Sequence, residues 1–217
     1  YIRIMKKRNL LLAALLLILV APSFAAKVDT LLVNSPSMNK DVQVVVVTPD
    51  AALGKKAVAC PVIYLLHGYG GNAKTWIGVK PDLPQIADEK GIIFVCPDGK
   101  NSWYWDSPKN PAYRYETFVA SELVNYTDKN YSTIPEKKGR AITGLSMGGH
   151  GALWLAIRHK DVFGAGGSTS GGVDIRPFPK NWEMSKQLGE YEADSALWDQ
   201  HTVITPVSYT HLRAHET

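Results

Sequence analysis

The sequence predicts an α/β fold, a mostly parallel sheet flanked by helices. Three observations predict it. The apolar runs at 62–66 and 92–96 are continuous rather than alternating, as in strands buried on both faces. Segments with apolar residues at helical spacing lie between such runs, so strands and helices alternate. A glycine-rich turn at 144–149 sits where one short apolar run hands over to a helical pattern.

The elements follow in order. Residues 28–33 and 42–47 read as strands, the second rich in β-branched residues and ended by Thr48-Pro49-Asp50. Pro61 opens a third strand, 62–66, which runs into His67-Gly68-Tyr69-Gly70-Gly71. Residues 82–90 suit a helix closed by Gly91. The fourth strand, 92–96, leads to an aromatic loop, Trp103-Tyr104-Trp105. In 115–126, Phe118, Val119, Leu123 and Tyr126 recur at helical spacing. A fifth strand is expected at 140–143, a helix at 147–158, and a sixth strand beginning at 162–165 that empties into the glycine- and serine-rich 166–172. No repeat or linker divides the chain, so one domain is expected.

The two ends are set apart. Lys6, Lys7 and Arg8 precede an unbroken apolar run, 10–20, and Ser23 and Ala25 place small residues at −3 and −1 of a cut after Ala25. Residues 1–25 therefore read as a cleaved signal peptide beginning naturally at Met5, with an apolar run too short to span a bilayer comfortably. At the other end, 207–217 shows neither helical nor strand periodicity and resembles a translated sequencing-adapter scar. The α/β domain is expected at 26–204, broken off in mid-domain, with 205–217 a non-native tail. The formal charge of +4 is carried by these ends, and the remainder is neutral. That balance offers no nucleic-acid footprint and no attraction to an anionic membrane once the leader is removed. Cys60 and Cys96 lie at opposite ends of the third and fourth strands. As parallel neighbours those strands would hold the sulfurs about 16 Å apart, beyond the ~7 Å Cα limit of a disulfide, so two buried free thiols are expected.

The chemistry centres on Gly144-Leu145-Ser146-Met147-Gly148-Gly149. A Gly-x-Ser-x-Gly pattern between a strand and a helix is the nucleophile elbow of the α/β-hydrolase fold. Its glycines allow a turn in which a Cβ would strike the neighbouring strand and helix, and Ser146 is lifted above the sheet as the candidate nucleophile. Acyl transfer needs two fixed donors at the developing oxyanion. One is the amide after the nucleophile, Met147; the other comes from the loop after the third strand, where Tyr69 is the candidate through its backbone N–H. His67 is read as a brace for that loop and not as the base, because the order in this fold is Ser, then acid, then His. Trp103, Tyr104, Trp105, Trp182 and Trp198 are candidate walls for an aryl or sugar group, with core filling the alternative and preferred for Trp198. Trp103 and Trp105 follow the carboxyl end of the fourth strand, where open α/β sheets bind ligands. Asp174 is read as a loop carboxylate, His201 as a packing or surface histidine and His150 as an elbow-packing residue. No histidine and carboxylate cluster has metal-ligand spacing, and no cofactor is expected.

The segments LLHGYGG, CPDG and GLSMGGHGAL resemble the putative-esterase (esterase D) family of α/β-hydrolases, over roughly residues 42–172. That family includes feruloyl esterases, acetylxylan esterases, S-formylglutathione hydrolases and mycolyltransferases. The resemblance implies Ser146 as nucleophile and the Tyr69 and Met147 amides as oxyanion hole. It also implies an acid and a base on loops after the last two strands, beyond the end of this chain. The expected function is an exported serine esterase acting through an acyl-enzyme on a small-molecule or polysaccharide-linked ester. The alternatives are an acyltransferase, an S-formylglutathione-type thioesterase and a non-catalytic binding module.

Overall fold

The computed structural model describes residues 26–205. Residues 1–25, read above as a leader, and residues 206–217, within the segment read as a tail, lie outside them. Among the described residues no helix is long and apolar enough to cross a membrane.

Six strands form one sheet: β1 (Lys27–Ser35), β2 (Lys40–Thr48), β3 (Val62–Leu66), β4 (Ile93–Pro97), β5 (Arg140–Gly144) and β6 (Ala165–Gly166), in the order β1-β2-β4-β3-β5-β6. β1 and β2 make an antiparallel hairpin, and β2 joins β4 antiparallel. From β4 onward every pairing is parallel. The helices are α1 (Thr75–Val79), α2 (Leu83–Lys90), α3, α4 (Met147–Arg158), α5 (Ser185–Leu188) and α6 (Tyr191–Gln200). α3 is the continuous run Tyr115–Thr117, Phe118–Glu122 and Leu123–Asn130, its middle part π-helical.

Alternation along the strands feeds two cores. Val44, Val46, Tyr64, Leu66, Val95 and Ile142 point to the face covered by α3 and α4. Val45, Val47, Leu65, Phe94 and Cys96 point to the other, covered by Leu83 and Ala87 of α2. A strand with both faces covered has no polar side to show, which is why β3 and β4 read as continuous apolar runs. α2 ends as its sequence predicts, with Gly91 at φ 63° in the left-handed region that a Cβ disfavours.

One buried carboxylate ties α3 to α4. Glu116 accepts hydrogen bonds from Trp154 Nε1 (2.8 Å), Arg158 Nε (2.8 Å) and His159 Nε2 (2.9 Å). Burial alone would raise its pKa, but the bonds from His159, Arg158 and Trp154 hold it down at about 2. The cysteines are free and buried. The β3–β4 register pairs Val62 with Ile93, which leaves the two thiols at opposite ends of their strands.

The sixth strand is shorter than its apolar start suggests. Val162 and Phe163 both donate their amides to the His159 carbonyl (3.0 and 3.1 Å), closing the end of α4 rather than pairing in the sheet. Only Ala165 and Gly166 reach the ladder, opposite Ala141 and Ile142.

Candidate active site

The elbow is built by close approach. A Cβ on Gly144 would run into the Gly148 carbonyl, and one on Gly148 into the Leu66 carbonyl, so both positions demand glycine. The turn is held from both neighbouring strands: Leu145 N–H donates to Leu66 O (3.1 Å), Ser146 N–H to Thr169 O (2.8 Å), and Thr169 N–H to Gly144 O (2.9 Å). These bonds hold Ser146 at φ 54° and ψ −117°, a strained conformation for a residue with a side chain. Ser146 makes no capping bond to α4, so its hydroxyl is not spent on the helix end. It is exposed, at the carboxyl edge of β5.

The loop after β3 lies against it. A Cβ on Gly68 would stand 3.5 Å from the Ser146 Cβ. Residues 68–71 form a type II turn: Gly71 N–H donates to Gly68 O (3.0 Å), and Gly70 takes φ 74°. The same Gly68 oxygen accepts His67 Nδ1 at 2.7 Å. The other ring nitrogen, Nε2, accepts the Gly99 amide at 2.8 Å, which makes Nδ1 the protonated one. A trans peptide points its C=O and N–H in opposite directions. Fixing the Gly68 carbonyl inward therefore turns the Tyr69 N–H outward. Among the described residues neither that N–H nor the Met147 N–H, at the first position of α4, has a hydrogen-bond partner.

Ser146 opens onto a cavity of about 210 Å³ lined by Tyr69, Trp103, Ser170, Gly172, Asp174, Ile175, Phe178, Trp182 and Met184. Most of this lining comes from the irregular segment between β6 and α5. The Trp103 indole Nε1–H donates to the Trp182 carbonyl (3.3 Å), and the Phe178 and Trp182 rings meet at 5.5 Å. The two tryptophans that follow the fourth strand part company here. Trp103 stands in the wall, whereas Trp105 is fully buried and does not line the cavity. Trp105 stacks on Trp103 at 5.5 Å and donates its indole N–H to His150 Nε2 (3.0 Å). His150 in turn donates Nδ1–H to the Gly172 carbonyl (2.6 Å), and burial pushes its pKa down to about 4. It is a neutral strut between the aromatic loop and the cavity rim.

The two other candidate partners are engaged elsewhere. Asp174 lies in the cavity wall, but both its oxygens are held by Arg176, at 2.8 Å each. His201 donates Nδ1–H to Leu197 O (2.7 Å) and stacks on Trp154 at 5.2 Å. Among the described residues no histidine hydrogen-bonds the Ser146 hydroxyl, and no group of three or more metal-ligating side chains exists. Ile175, Phe178 and Met184 were not singled out from the sequence. Their one advance signal is the density of apolar and aromatic residues in a proline-rich loop directly after the sixth strand.

The acetyl esterase of Caldicellulosiruptor saccharolyticus is 34% identical over 103 residues, covering 46% of this chain and 37% of that protein. The diacylglycerol acyltransferase/mycolyltransferase Ag85A of Mycobacterium leprae is 35% identical over 161 residues, covering 68% of this chain and 44% of that protein. The chain thus spans less than half the length of either relative. The structure of a ferulic acid esterase superposes with a TM-score of 0.65 at 29% identity, covering 82% of this chain and 72% of that one. The fold is that of the α/β-hydrolases. The family described as Putative esterase matches residues 35–215, a span that takes in the elbow, the type II turn and the cavity wall, and the chain belongs to that family.

Proposed function

We propose that the protein is a serine carboxylic-ester hydrolase working through an acyl-enzyme. The observation that carries this reading is the meeting of a strained, uncapped Ser146 with two unpartnered amides at the mouth of an aromatic cavity. Ser146 Oγ attacks the ester carbonyl while its proton passes to a histidine. The carbonyl oxygen becomes an oxyanion held by the Tyr69 and Met147 N–H groups. Collapse expels the alcohol with that proton, and water then cleaves the acyl-enzyme by the same steps. The base and its carboxylate partner come from outside residues 26–205, so those residues alone should be inactive.

The acyl group occupies the cavity, where the faces of Trp103, Phe178 and Trp182 suit an aryl acyl group such as a feruloyl ester. A ferulic acid esterase among the similar structures supports this choice. With residues 1–25 read as a signal peptide, the protein is exported and meets such esters on plant polysaccharide. The acyltransferase reading is favoured by the likeness to Ag85A, and it differs only in whether water or a second alcohol takes the acyl group. The test is hydrolysis of methyl ferulate and of an aryl acetate by the full-length protein, with and without added alcohol. Labelling by a fluorophosphonate should map to Ser146. Labelling elsewhere, or none, overturns the reading.

A further inference from the structure

Resting on that reading, we propose that Asn101 and Glu183 are positioning residues that latch the oxyanion loop in its donating geometry. Gly70 N–H donates to Asn101 Oδ1 at 2.9 Å, and Asn101 Nδ2 donates to Glu183 Oε2 at 3.2 Å. The chemistry forces this amide orientation, since the Gly70 N–H can only donate and the Glu183 carboxylate can only accept. The other Glu183 oxygen is taken by Lys186. The peptide that follows Tyr69 is thus gripped from outside, just as His67 grips the preceding one from inside.

The latch also joins the oxyanion loop to the cavity wall. Trp182 and Glu183 are consecutive left-handed residues, at φ 50° and 54°. That bend puts Trp182 on the cavity and Glu183 on the loop. A chain holds two adjacent side-chain-bearing residues in this region only where its surroundings over-determine it. The Met184 N–H closes the turn onto the Asn181 carbonyl (3.3 Å), and the latch and the Trp103–Trp182 bond hold it from outside. Asn101 and Glu183 touch no reacting atom, so they act through the Tyr69 N–H.

The test exchanges the polarity of the pair. Asn101→Asp keeps an acceptor for Gly70 but sets two carboxylates against each other. Asn101→Asp with Glu183→Gln restores a donor–acceptor pair with its direction reversed. The single variant should lower kcat about tenfold with KM little changed, within the ~10²–10³ that losing a whole oxyanion donor costs. Inhibition by an aryl boronic acid, whose tetrahedral adduct needs the same donors, should weaken in parallel. Hydrogen exchange of the Gly70 amide, which needs no turnover, should quicken. The double variant should recover all three, whereas a merely structural role would shift the melting temperature without moving the kcat/KM split or being rescued. A single variant as fast as wild type, or a double variant no better than the product of its parts, overturns the latch alone. A wild type whose Ser146 resists fluorophosphonate overturns the functional reading and the positioning role with it.

Discussion

The amide of Gly99 donates to Nε2 of His67 at 2.8 Å, and through it a residue on the loop after β4 sets the proton position on a residue after β3. With Nε2 occupied as acceptor, Nδ1 must carry the hydrogen that holds the Gly68 carbonyl. His67→Ala should therefore lower kcat by 10-fold or more, up to the ~10² of a misplaced donor. It should also cost about 1–3 kcal/mol of stability by stranding the buried Gly99 N–H. Steady-state kinetics and urea unfolding on one preparation check both. An alanine variant with unchanged kcat would mean that the turn holds itself.

Ser146→Ala should abolish turnover, by about 10⁶ if the site behaves as other serine triads do, with the fold retained. Ser146→Gly should be equally inactive yet more stable than Ser146→Ala, because φ 54° with ψ −117° strains any Cβ. Relief of about 1–3 kcal/mol is opposed by the ~0.4–1 kcal/mol of extra freedom glycine gives the unfolded chain. Thermal denaturation of the two variants decides the sign.

Tyr69 occupies the second position of its type II turn, where proline is well tolerated. Tyr69→Pro should thus delete the N–H without breaking the turn and cost about 10²–10³ in kcat. Tyr69→Phe keeps the donor and should change kcat little. A large loss with phenylalanine would instead make the phenol a group that touches substrate.

The aromatic residues predict a division of labour. Trp182→Ala should weaken binding of an aryl acyl ester more than that of an acetyl ester, read as the ratio of their kcat/KM values. Trp105→Phe should leave that ratio alone and destabilise the fold by about 1–3 kcal/mol, by leaving His150 Nε2 buried without its donor.

His150 predicts a pH dependence. Its folded pKa, about 4, lies below the ordinary 6.5, so the unfolded chain takes up the extra proton between those values. The stability contributed by neutral His150 is full above pH 6.5 and is lost as pH falls toward 4, on the order of 3 kcal/mol in all. Burial also lowers the pKa of His201, which acts in the same sense. His150→Gln should flatten the slope of unfolding free energy against pH by its own share. An unchanged slope would mean that His150 binds its proton equally well in the folded and the unfolded chain.

Sequence reading located β3 at its observed bounds and α4 from its first residue to its last, because a doubly buried strand and a glycine-flanked elbow leave local marks. The tight strand-to-helix turn around Ser146 and the glycine-rich turn around Tyr69 were legible for the same reason, their backbone geometry being encoded within a few residues. β6 was not, since Val162 and Phe163 are as apolar as strand residues while their amides close a helix. The wall residues Ile175 and Phe178 were hidden for a deeper reason. An irregular loop has no period, and its shape is set by contacts such as the one between Trp103 and Trp182, 79 positions apart.

The two unpaired cysteines give the molecule a clock. Burial lifts the Cys96 thiol to about 12 and also raises that of Cys60, so neither presents appreciable thiolate to an alkylating reagent while folded. Cys96 lies at the heart of the sheet, and Cys60 beside the loop that carries Thr133. Modification of Cys96 counts only whole-molecule openings, while that of Cys60 also counts fraying of one end, so the ratio of their labelling rates separates local from global unfolding with no dye attached.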